Sequence, residues 1–133
     1  MQSREPLFEK QRYPLRADQP GPSSPSPIVV VDAHVHIYDC YPLGVFLNSA
    51  RRNLQAVAQG QGASTVSGYL LLTEASPDRA FDQLAAQAGG VIDGGWRVER
   101  TAEPCALRLH QGDSFPLFVV AGRQIVTAED LEV

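Results

Sequence analysis

A β-like block starts at Ile28, where I-V-V-V-D-A-H-V-H-I runs to Ile37 as β-branched and apolar residues, which predicts a buried strand. From Pro42 the spacing turns helical. Phe46, Ala50, Leu54 and Val57 fall on one face, Arg51, Arg52, Asn53 and Gln55 mostly off it, with Pro42 suited to a first helical position and Gly60 to a stop. A second strand-helix unit follows, with V-S-G-Y-L-L-L-T from Val66 to Thr73 as strand and Ser76 to Ala88 as helix. Ser76 can cap that helix, Pro77 starts it, Asp78 complements its dipole, and Phe81, Leu84, Ala85 and Ala88 line its buried side. Two such units in succession predict parallel pairing of the strands at 28–37 and 66–73.

Beyond Gly89-Gly90 the pattern changes. Trp96 to Thr101, Cys105 to His110 and Phe115 to Thr127 are short β-like runs separated by Glu103-Pro104 and Gln111-Gly112-Asp113, which predicts a hairpin or small antiparallel meander. Gly122 marks a bulge or a strand break in the last run. Upstream of Ile28, six of the ten prolines lie in residues 1–27 among Gly and Ser. A segment of that kind favours extended polyproline conformation and cannot bury a face, so residues 1–27 read as a tail or linker and 28–133 as the folded part. A proline-rich ligand for a partner domain is the alternative, without a clean P-x-x-P core to support it.

Composition narrows the function classes. The formal net charge is -4, and in residues 28–133 seven Arg face twelve Asp and Glu, so the folded part repels a phosphate-coated partner and nucleic acid is not expected. Cys40 and Cys105 make no Cys-x-x-Cys pattern and no disulfide framework, and neither a secretory signal nor a run of 18 apolar residues is visible, so a cytoplasmic protein without membrane attachment is the expectation.

The candidate chemistry sits on the first strand. Asp32, His34 and His36 are spaced by two, so on a regular strand their side chains leave one face while those of Val31, Ala33, Val35 and Ile37 leave the other. Two imidazoles at that spacing can hold one divalent ion, with Asp32 as a ligand or as the group that orients a ligand histidine. They also fall at the C-terminal end of a parallel strand, where α/β folds put their active sites. The plain alternative is a pair of polar residues at a strand end.

V-D-A-H-V-H-I-Y-D resembles the opening motif of the amidohydrolase superfamily, especially its amidohydrolase-related branch. The resemblance covers about fifteen residues closely and implies a distorted (β/α)8 barrel in which His34 and His36 bind a catalytic divalent metal, zinc first, with manganese or iron as alternatives. At 133 residues the chain is about half the usual barrel size, so the resemblance implies a partial barrel, two strand-helix units followed by a small antiparallel section. A second resemblance is to the polymerase-and-histidinol-phosphatase (PHP) phosphoesterases, which also open with His-x-His. Where that family has T-D-H and a later G-x-E, this chain has T-E-A at 73–75 and G-R-Q at 122–124, with Glu74 and Ala75 in place of Asp-His and Gln124 in place of the ligand Glu.

Further candidates are weaker. His110 is a third ligand if the hairpin folds over the site, and otherwise an exposed hairpin histidine. Glu74, ending the second strand, is a candidate base or extra ligand, against a solvated loop residue or helix-entry charge; Asp39 and Cys40 lie just past the histidines. A complete site would hydrolyse an amide, ester, lactone or phosphoester of a small-molecule substrate, through a water acidified by the metal. An incomplete one would be a non-catalytic or truncated remnant with a binding or structural role. Its open sheet edge would need cover from a second copy or from a missing C-terminal half.

Overall fold

The computed structural model describes residues 26–127; the proposed tail lies outside the described residues except for Ser26 and Pro27. Strands β1 (Ile28–Val35) and β2 (Val66–Leu72) flank helix α1 (Leu43–Gly60) and pair in parallel, as the alternation of units predicts. Helix α2 (Ala80–Ala86) follows, then β3 (Val91–Ile92), a 3-10 turn at Asp93–Gly95, β4 (Trp96–Arg100), β5 (Ala106–His110) and β6 (Leu117–Val120).

All six strands join one sheet in the order β1-β2-β6-β5-β4-β3. β6 is parallel to β2 and antiparallel to β5, so the meander is part of the same sheet rather than a separate section. The fold is α/β, but it is not a barrel. β6, the third of the mutually parallel strands, is reached through the β3–β5 meander, and among the described residues the sheet stays open with β1 and β3 at its edges.

Alternation within the strands explains the layering. Leu70 and Leu72, Leu117 and Val119, Leu107 and Leu109, and Trp96 and Val98 are buried with Leu47, Leu54, Phe81 and Leu84 of the two helices in one core. Each large apolar side chain buried there contributes about 1.5–3 kcal/mol. The intervening residues, including Val29, Val31, Tyr69, Phe118, Arg108 and Glu99, form the opposite face. Val29 and Val31 are exposed on it, and Tyr69 stacks on Phe118 with ring centroids 4.8 Å apart.

Three local departures from the sequence expectation have identifiable causes. The buried stripe of α1 runs through Gly44, Leu47, Leu54 and Ala58, with Phe46 and Ala50 at its margin, whereas Val57 is exposed. α1 is oriented by its start: the Asp93 carboxylate accepts the Gly44 amide at 3.0 Å, a charge-assisted cap supplied from 49 residues away. Gly44 is required there because a Cβ would lie 2.7 Å from the Asp93 carbonyl oxygen.

α2 begins at Ala80, not Ser76. Asp78 Oδ2 accepts the Ala75 amide while the Asp78 amide donates to the Ala75 carbonyl, which closes a turn over residues 75–78 in place of a first helical turn. The last strand stops at Val120, because Gly122 passes against the Leu72 carbonyl and its own carbonyl accepts the Glu74 amide.

Candidate metal centre

β1 carries the motif but not as a regular strand. Asp32 pairs with Leu70 and Val35 with Leu72, so three steps along β1 match two along β2. The cause is local: Asp32 Oδ1 accepts the His34 backbone amide at 3.2 Å, and a side chain that takes a ladder donor interrupts the ladder. Strict alternation therefore fails. Val35 turns into the core at 5% exposure, and the expectation that it shares a face with Val31 and Ala33 is corrected. Asp32 serves the His34 amide, so its described bond shapes the backbone rather than orienting an imidazole.

The bulge aims the histidines at each other. His34 Nε2 and His36 Nε2 lie 3.1 Å apart, with ring centroids at 5.0 Å and planes inclined by 65°. Tyr38 stacks on His36, with ring centroids 5.8 Å apart and planes nearly parallel at 14°. Thr73 fixes the inner side: its amide and hydroxyl both donate to the Val35 carbonyl, at 2.8 and 3.2 Å, and its Oγ1 is 3.2 Å from His36 Nε2. Because Thr73 gives its hydroxyl proton to Val35, its lone pair is left facing the His36 nitrogen.

Thr73 was not among the candidates from the sequence: uninterrupted parallel register would set it beside Val35, and the bulge between Asp32 and Val35 is what brings it to His36. A cavity of ≈ 300 Å³ adjoins the pair, lined by Asp32, His34 and His36 from the β1 end and by Phe46, Ser49 and Asn53 from α1.

The other candidates lie elsewhere. Glu74 is 7% exposed, and its Oε1 accepts the Phe81 amide at 3.0 Å, so the carboxylate caps α2. The T-E-A and G-R-Q segments are neighbours, with the Gln124 amide donating to the Glu74 carbonyl, but the cavity that Glu74 lines is shared with Cys105 and Arg123 and not with the histidines. His110 sits on β5, three places from β1 in the sheet, and its Nε2 is 2.8 Å from Glu99 Oε1. Arg108 donates to the other oxygen of Glu99 at 2.7 Å. The hydrogen bonds from His110 and then Arg108 hold the Glu99 carboxyl below the ordinary carboxylate range. Asp39, Cys40 and Cys105 are exposed, and the two cysteines are free.

Among the described residues no cluster of three or more His, Cys, Asp or Glu is positioned to hold an ion, and no helix is long and apolar enough to cross a membrane. What remains is a two-imidazole bite backed by a hydroxyl. No protein-family model, curated protein or solved structure matches the chain.

Proposed function

We propose that this chain is a divalent-metal-binding, hydrolase-like protein in which His34 and His36 anchor the ion. The 3.1 Å separation of the two Nε2 atoms carries the reading. With zinc–nitrogen bonds of about 2.0–2.1 Å, it corresponds to an angle of about 100° at the ion, close to tetrahedral, so the donors fit the group. In the free protein the same contact is one imidazole N–H donating to the other nitrogen, and binding replaces that proton.

When bound, such a cation polarises a carbonyl or phosphoryl oxygen and acidifies water, which is the basis for hydrolysing an amide, ester, lactone or phosphoester. The chain's own groups position the donors. Thr73 fixes the backbone just before His36 through its two bonds to the Val35 carbonyl, Asp32 holds the bulge that turns His34 toward His36, and Asp32 is the carboxylate lining the adjacent cavity. A second reading, a metal-binding remnant without turnover, is favoured by Glu74, whose carboxylate is committed to the α2 amide.

Zinc or manganese titrated into the protein is expected to raise its unfolding midpoint, by about 2.7 kcal/mol of stability when free metal is 100 times Kd. The rise disappears when His34 and His36 are both replaced by Ala. A midpoint indifferent to both metals overturns the proposal. Turnover of esters, lactones and phosphoesters by the metal-loaded chain separates the two readings, and weak or absent turnover is expected.

A further inference from the structure

We propose that one divalent ion joins two copies of this chain, each supplying His34 and His36, so that the finished site is a four-imidazole centre on a two-fold axis; this rests on the metal-binding reading above and extends it to the partner. The first argument is the ligand deficit. A closed tetrahedral site takes four protein donors, and the chain offers two imidazoles with no further cluster of His, Cys, Asp or Glu beside them among the described residues. Of the carboxylates singled out from the sequence, Asp32 is bonded to the His34 amide and Glu74 to the Phe81 amide.

The second argument is access. Among the described residues β1 is the outermost strand, paired on one side with β2, and Asp32, Ala33 and His34 are exposed along it. A strand edge of this kind is ordinarily covered or paired. The pair occupies two vertices of a tetrahedron, and a two-fold axis through the ion, perpendicular to the bisector of their angle, carries them onto the other two. A symmetric homodimer uses the same patch twice, so one self-complementary contact completes the coordination.

Charge makes the association conditional. The excess of twelve Asp and Glu over seven Arg in residues 28–133 makes two copies repel, and the dication between them offsets that repulsion locally. The dimer therefore forms with metal and comes apart without it.

The test uses the full chain and zinc chloride in sedimentation velocity and light scattering. Expected is a monomer in chelator, a dimer that saturates at one zinc per two chains, and return to monomer when the zinc is removed. X-ray absorption at the zinc edge should show four nitrogen neighbours. H34A and H36A separately abolish the dimer, whereas H110A, which alters a histidine on β5, retains it. Zinc bound one per monomer with no change in mass overturns the shared centre and leaves the metal-binding reading standing. No zinc binding at all overturns both. Loss of the dimer in H110A, or polydisperse zinc-induced aggregates, overturns the shared centre by showing bridging through other groups.

Discussion

Replacing Glu74 by Ala is expected to destabilise the fold by about 2–3 kcal/mol while leaving the His34–His36 pair intact, through loss of a cap that orphans a buried donor. The magnitude follows from its surroundings. Glu74 is 7% exposed and its Oε1 accepts the Phe81 amide at 3.0 Å, near the start of a helix only seven residues long. Losing a cap costs about 1 kcal/mol, and leaving a buried donor unpaired costs about 1–3 kcal/mol; the two overlap because they concern the same amide. A helix this short does not persist on intrinsic propensity, so the loss also loosens Phe81 and Leu84 against the core.

Glu74→Gln keeps an acceptor oxygen at the same reach and should cost under about 1 kcal/mol, the size of a charge–dipole contribution. Urea unfolding read as a midpoint change at constant slope measures both variants. For a domain of this size the Ala variant should lose about 8–24 °C in Tm, at roughly 4–8 °C per kcal/mol. A Glu74→Ala protein within about 0.5 kcal/mol of the parent, the range of an ordinary surface change, refutes the capping role. So does a Gln variant as damaged as the Ala variant.

Gly44→Ala places a methyl 2.7 Å from the Asp93 carbonyl oxygen and should cost about 1–3 kcal/mol in the same urea assay, a loss that a merely exposed helix glycine would not show. Trp96→Phe removes the indole N–H donated to Asn48 Oδ1 at 3.2 Å and weakens the Arg51 guanidinium stack 4.8 Å from the ring, for about 1–2 kcal/mol. The Glu99 carboxyl should titrate below the ordinary range in carbon-detected NMR, and R108A or H110A should move it up. Because its folded value is depressed, its contribution to stability is present above the unfolded carboxylate pKa and fades as pH falls through the folded one; E99Q should flatten that slope, by little since the group is on the surface.

Periodicity was enough to place β1, α1 and β2 and to pair the two strands in parallel, since those features depend on residues close in sequence. The bulge was hidden because it depends on Asp32 choosing the His34 amide over a free carboxylate, a competition that spacing by two does not encode. Ser76 and Pro77 suggested a helix start four residues early, because Asp78 closes the preceding turn and the cap comes instead from Glu74. Glu74 and His110 looked like site residues by type alone; their partners, Phe81 and Glu99, show what those types are used for. The barrel expectation came from the motif's resemblance, and a nine-residue motif constrains one strand, not the route of the chain that follows.

β6 has a consequence for how the chain reaches this structure. Among the described residues it is the strand that joins the parallel pair β1–β2 to the meander β3–β5, yet it comes last of the described strands in chain order. Until Leu117–Val120 docks, Leu70 and Leu72 on one side and Leu107 and Leu109 on the other lack their neighbour in the sheet. Docking must close the long loop between β2 and β6, which makes the rate-limiting step a non-local one and favours slow folding for the chain's size. During synthesis the two halves stay separately exposed until the final strand emerges from the ribosome, and in that interval the β2 edge is the surface at which misassembly would begin.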